Sequence, residues 1–306
     1  MFVIIVNQIL KMLLLLLLGC LCFRMRLIDE NGSKVLANLL LMVVNPMLAI
    51  VSLQTEYSAH LAQGLLVAYL LAFLTHLVAA VLSTVLIRTT GNPDCGIDRF
   101  ASMYSNCGFI GIPLVQSILG NEGVLYLTAY MTVFNFFSWT HGIMIMTGTF
   151  SLKELKKGLL SPMIFASILG VVFFFGKIRI PYLLLDSMNY VAGMNTPLAM
   201  LIAGISVAQT DLLSMLRNRK LYLISASKLF IMPALLLVML ALIPVDPMVG
   251  YTMLVAAACP VAATGTAFAL RFHKNSLYAS ELYAFTTVAS LVTIPLFVFA
   301  AERLIL

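Results

Sequence analysis

The chain of 306 residues is 62% hydrophobic and 10% charged, with a mean hydropathy of +1.05. That excludes a water-soluble domain, in which about a quarter of the residues carry charge. The formal charge of +6 comes from 18 lysines and arginines scattered between apolar segments, so it marks orientation in a bilayer and excludes a nucleic-acid-binding face.

One bilayer crossing takes roughly 20 apolar residues. In chain order, apolar runs fall at residues 1–23, 34–53, 62–87, 98–119, 122–147, 159–175, 182–210, 217–243, 247–271 and 276–302. Each is expected to be helical, because an unsatisfied backbone group in hydrocarbon costs several kcal/mol. Run one has Arg24 and Arg26 after its apolar stretch and no small-residue cleavage site, so it reads as a membrane helix and not as a secretory signal. Five cysteines, an odd number sitting in or beside apolar runs, suggest neither a disulfide framework nor a zinc site.

Lysine and arginine gather in cytoplasmic loops. Alternating the loops puts Arg24, Arg26, Lys34, Arg88, Arg99, Lys153, Lys156, Lys157, Arg217, Arg219, Lys220, Arg271 and Lys274 on one side. Only Lys177, Arg179 and Arg303 fall on the other, and Lys11 and Lys228 lie inside helices. Both termini are therefore expected on the extracytoplasmic side of the cell (inner) membrane. The longest cytoplasmic connection, residues 148–158, separates residues 1–150 from residues 151–306. Five crossings is an odd number, so the second unit must enter from the opposite face. The expected fold is an all-α polytopic membrane protein of ten transmembrane helices, arranged as two inverted five-helix repeats with broken crossover helices four and nine.

A trace of the repeat is visible. Run two carries Asn45-Pro46-Met47-Leu48-Ala49 and run seven Asn195-Thr196-Pro197-Leu198-Ala199; run four carries Asn106 to Pro113 and run nine Cys259 to Thr266 at a similar offset. Proline removes a donor and clashes with the preceding turn, so breaks are expected near Pro113 and Pro260, with Gly108, Gly111 and Gly265 permitting unwound backbone and close approach. Matched broken helices point to a transporter's binding site, since freed amides at half-helix N-termini attract anions and freed carbonyls attract cations.

Lys11 and Lys228 are intramembrane cations, each costing roughly 2.5–3.5 kcal/mol on insertion scales. The twelve acidic residues all fall in loops or near helix ends, Glu281 and Asp211 being nearest to exceptions, so buried positive charge favours an anionic substrate. The candidate substrate-binding set is Asn106, Gly108, Gly111, Pro113, Pro260, Thr264, Thr266, Lys228, Lys11, Asn45 and Asn195. Asn45 and Asn195 either reach the substrate or cap broken turns. His76, central in run three, is either a proton relay or a core residue. Ser105, Asn106, Gln116, Thr264 and Thr266 offer the neutral oxygens that a sodium site uses. No nucleotide-phosphate loop, metal-spaced His and Glu pair or recommended serine, histidine and acid set occurs, so no enzyme, cofactor or metal is expected.

Four segments carry a family resemblance: Asn106–Leu114 (NCGFIGIPL), Ala258–Phe272 (ACPVAATGTAFALRF), Pro197–Gly204 (PLAMLIAG) and Thr293-Ile294-Pro295-Leu296. Their order and spacing over nearly the whole chain resemble the auxin efflux carrier family, which includes plant auxin exporters and bacterial malate and malonate permeases. Its fold is similar to that of the sodium and bile-acid symporters. The resemblance implies a scaffold domain from helices 1, 2, 6 and 7 and a transport domain from helices 3–5 and 8–10. It further implies crossing of helices four and nine with a polar residue at Asn106, elevator-type alternating access, and a homodimer. The absence of a long hydrophilic central loop resembles the compact bacterial type. The expected function is a permease for a small organic anion such as a carboxylate, by uniport or linked to a proton, with membrane lipid around it. Alternatives are a sodium-coupled organic-anion or bile-acid-type symporter and a transporter-fold receptor.

Overall fold

The computed structural model describes residues 2–88, 91–150, 152–210, 215 and 217–304. In chain order the helices begin with α1 (Phe2–Arg24), α2 (Glu30–Ser52), α3 (Ala59–Leu86), α4 (Cys95–Met103) and α5 (Cys107–Thr147). They continue with α6 (Leu152–Leu159), α7 (Pro162–Phe175), α8 (Tyr182–Ala208), α9 (Arg219–Leu242), α10 (Pro247–Ala258), α11 (Thr264–Arg271) and α12 (Ser276–Leu304). Among the described residues seven helices, α1, α2, α3, α5, α8, α9 and α12, are long and apolar enough to cross a membrane. Asp211 lies outside the described residues.

Prolines shape three of these helices in the same way. α2, α5 and α9 each widen into a π-turn, at Leu40–Val44, Cys107–Gly111 and Ser227–Ile231, and a proline, Pro46, Pro113 or Pro233, follows shortly after. Asn45, Ile112 and Met232, each just before its proline, donate back to the carbonyls of Leu40, Cys107 and Ser227. Skipping one carbonyl makes room for a ring that has no N–H to give and would otherwise strike the turn behind it.

This corrects the expected break at Pro113. That residue sits inside continuous helix; the chain unwinds earlier, at Tyr104–Asn106. The second unwound stretch does contain its proline, Pro260, between α10 and α11. Runs four and five share the α5 stretch, which turns at Gly120 (φ 67°), a left-handed backbone that glycine alone adopts freely.

Packing sorts the helices. α1 lies along the second half of α8, with Gly19 and Gly204 at the contact; a Cβ on Gly204 would collide with the Leu16 carbonyl, and one on Gly19 with the Leu201 carbonyl. Backbones meet there directly, which small residues allow in lipid. α2 packs on α7 and the first half of α8, whereas α3 and α10 pack on α5, and α10 and α11 on α12. The breaks lie inside this second group, with Tyr104, Tyr126, Tyr130 and Phe100 among the largest fully buried side chains.

Candidate functional site

Four half-helix ends meet inside the bundle: α4 and α10 end there, α5 and α11 begin there. The two unwound stretches run antiparallel around the Ser105–Val261 pair. Asn106 N–H donates to the Pro260 carbonyl at 2.8 Å and Ala262 N–H to the Tyr104 carbonyl at 3.0 Å. Val261 N–H donates to Thr286 Oγ1 at 3.1 Å. Each break thus supplies the partners that the other lost, as buried backbone requires. Glycine makes the approach possible: a Cβ on Gly111 would stand 3.3 Å from Cys259 Sγ, and one on Gly265 would stand 2.9 Å from the Phe100 ring.

Helix C-terminal ends carry partial negative charge and N-terminal ends partial positive charge, so the crossing has sites for both signs. Lys228 occupies a negative one. Its side chain is fully buried (0% exposed). The Nζ donates to the Ala257 carbonyl, at the end of α10, at 2.8 Å and to Ser105 Oγ at 2.6 Å. Ser105 Oγ itself donates to the Ala257 carbonyl at 3.3 Å. Its electrostatic neighbours are the Cys107 and Cys259 thiols and His76.

His76 shares with Lys228 a small cavity of about 10 Å³, the room of roughly one water. Its Nδ1 lies 2.8 Å from the Ala72 carbonyl. A carbonyl only accepts, so Nδ1 holds the proton. The buried Nε2 has no partner, and the ring packs against Tyr130 and Phe137 at centroid distances of 4.9 and 5.4 Å.

Several further polar groups near the two breaks lack a well-made hydrogen bond. Asn106 Nδ2, the Tyr283 hydroxyl and Thr287 Oγ1 are buried side by side and meet one another, but without good hydrogen-bond geometry. Thr264 Oγ1 and Thr266 Oγ1, in the first turn of α11, are unpaired. Each such group costs about 1–3 kcal/mol, and a concentration of them calls for a ligand or ordered water.

Asn45 and Asn195 are both buried and touch: Asn195 Nδ2 donates to Asn45 Oδ1 at 2.7 Å, and Asn195 Oδ1 has no partner. They join α2 to α8 and border the crossing, because a Cβ on Gly108 would stand 3.4 Å from Asn45 Nδ2. The Pro113 carbonyl receives a long 3.4 Å contact from Gln8 Nε2 of α1. Lys11 and Gln116 are not brought in. Lys11 is exposed on α1 among Leu10 and Leu14, and Gln116 is exposed on α5.

One charged cluster escaped the sequence reading. Asp98 is 0% exposed, although its position near the end of a run placed it among the loop acids. It pairs with Lys220 Nζ at 2.9 Å and accepts from the Tyr278 hydroxyl at 2.9 Å and Asn92 Nδ2 at 2.8 Å. α4, α9 and α12 are thereby tied together. The available signal was opposite charge near the ends of two runs, but no linear rule pairs them. Replacing Lys220 with methionine leaves a buried carboxylate uncompensated, a loss of about 3 kcal/mol. Thermal unfolding of the purified variant in detergent measures it, and an unchanged midpoint would show that Asn92 and Tyr278 suffice.

A helical bundle with seven described helices long and apolar enough to cross a membrane, and with two unwound stretches paired at its centre, has the build of an integral membrane protein. The family model described as membrane transport protein matches residues 4–151 and 146–298. The chain belongs to that family, the auxin efflux carrier family of membrane transporters, which is not an enzyme family. No curated protein matches the chain.

Proposed function

We propose that this protein is a secondary carrier for a small organic anion, a carboxylate by chemistry, bound at the crossing. The observation that carries the reading is the buried Nδ2 of Asn106, at the N-terminus of α5 and without a well-made hydrogen bond, next in the chain to Ser105, which holds a buried ammonium with no carboxylate among its described hydrogen-bond partners. Hydrogen-bond donors at a helix N-terminus suit a carboxylate. The reading extends to two inverted five-helix units, residues 1–150 and 151–306. Its support is the Asn45–Asn195 contact at an offset of 150 residues and the antiparallel pairing of the two breaks.

In this reading α1, α2, α7 and α8 form the scaffold, and the remaining membrane helices carry the anion past it in an elevator motion. The close α1–α8 and α2–α7 packing supports that division. Both termini face outward, and two copies pair in the cell membrane. Coupling is either none or one proton, with His76 as the candidate relay. Against the sodium alternative, Ser105 Oγ is engaged by an ammonium and Gln116 is exposed.

Purified protein in liposomes tests this with labelled malate, malonate, succinate and indole-acetate under imposed voltage, proton and sodium gradients. A potential of 100 mV is worth about 2.3 kcal/mol per charge, roughly fiftyfold in accumulation. Flux of one of these anions that follows voltage or protons is the expected result. Flux that requires sodium would promote the symporter, and no anion flux in any gradient would sink the carrier reading.

A further inference from the structure

We infer that the ammonium of Lys228 is the tethered occupant of a monovalent-cation site at the crossing, standing where a free coupling cation would otherwise be needed. The inference deepens the carrier reading, and it rests on that reading only where anion flux is measured. The site lies at the end of α10. Its last carbonyls have no intrahelical donor, and the Ala257 carbonyl points its partial negative charge into a fully buried place. A bare carbonyl in hydrocarbon is costly, and a positive charge there is favoured by the helix dipole.

The atoms that meet the charge are a carbonyl at 2.8 Å and a hydroxyl at 2.6 Å. These neutral oxygens are the ligand type that sodium, potassium and ammonium ions accept. No acid among the described residues joins them, so the site is built for one charge balanced by dipoles. An ammonium has three N–H groups. Two are used, and the third is left to the small cavity that Lys228 shares with His76, whose unpaired Nε2 is an acceptor. The π-turn that accommodates Pro233 contains Lys228 itself, so the widened backbone of α9 sets the amine at this spot.

A lysine here has a consequence that a free ion lacks. The charge cannot leave between cycles, so the crossing stays intact without any external cation. Cutting the tether while keeping the oxygens should turn the site into a vacancy that small cations fill. The variant for this is Lys228→Ala, which opens room for an alkylammonium; Lys228→Met fills the same room with an apolar chain and serves as its control.

Two readouts are needed. In the first, thermal unfolding of the purified proteins is followed in choline buffer with added sodium, ammonium or propylammonium. The expected result is a rise in the midpoint of Lys228→Ala that saturates with one of these cations, and no such rise for Lys228→Met or the unaltered protein. Equal responses of all three proteins, or no response, would overturn the tethered-cation site. This arm needs no substrate, so its outcome is separate from whether the carrier reading holds.

In the second readout, anion binding and flux are measured on the same set. The unaltered protein should work equally well in sodium and in choline. Lys228→Ala should bind the anion poorly in choline, and the rescuing cation should raise its affinity by roughly 5- to 150-fold, the usual span of coupling between two sites. Sodium dependence of the unaltered protein would also overturn the inference. If neither variant folds, Lys228→Arg keeps the charge, and its normal behaviour in choline is then required.

Discussion

Asn106→Ala is expected to abolish most anion binding while leaving the protein as stable as before. The side-chain Nδ2 meets the Tyr283 hydroxyl without good hydrogen-bond geometry, so the substitution removes little from the fold and deletes a poorly satisfied buried donor. In the proposed complex that donor meets a carboxylate, and a hydrogen bond to a charged group is worth about 1.5–3 kcal/mol, or roughly 10- to 150-fold in affinity. Asn195→Ala makes the contrast, because it breaks an existing 2.7 Å bond to Asn45 and should lower stability by about 1 kcal/mol. Equilibrium binding of the transported anion and thermal unfolding, run on both variants, separate the two effects. An Asn106→Ala protein with unaltered affinity would remove Asn106 from the binding site, whatever its midpoint. A residue kept at a cost to the fold is the pattern of a group retained for function.

The second large effect concerns the contact of α1 with α8. A side chain on Gly204 has no space, since the atom it meets is the Leu16 main-chain carbonyl and not the flexible end of a side chain. Relief therefore requires the two helices to separate, which gives up the close packing and the Cys20 Sγ contact to the Gly204 carbonyl at 3.0 Å. Lipid offers no hydrophobic force to hold them afterwards. Gly204→Val should cost at least about 3 kcal/mol, the upper end for overpacked cores. Gly193→Ala, at a position where a Cβ meets nothing within 4 Å, should cost nothing measurable. Size-exclusion profiles and unfolding midpoints in detergent compare the pair; equal midpoints would mean that α1 is not held by this contact.

The line of residues predicted an all-helical membrane protein, of whose ten expected spans seven described helices are long and apolar enough to cross, and it predicted the polar contacts poorly. Proline signals show the difference. Pro260 marked a true break, but Pro113 did not, because a π-turn ahead of it absorbed the ring. That choice depends on what the neighbouring carbonyls can bond to, and at Tyr104–Asn106 the partner is a stretch some 150 residues away. Lys228 was legible as a buried cation; its partners were not, since Ser105 and Ala257 arrive on other helices. Lys11, at a similar depth in its run, proved to be exposed. Helix rotation separated two lysines that composition alone treats alike.

By itself the sequence determined the solvent, the helical character and the approximate spans of this protein, and through its motifs the family. Hydropathy acts residue by residue along one chain, and a bilayer forces each apolar run to satisfy its own backbone. Only the tertiary structure decided which polar groups meet: Lys228 with the end of α10, Asn45 with Asn195, Asp98 with Lys220. Those pairings depend on the rotation and depth of each helix against its neighbours. Close packing of small residues and the partners available to freed backbone groups set both quantities, and neither is a property of a single run.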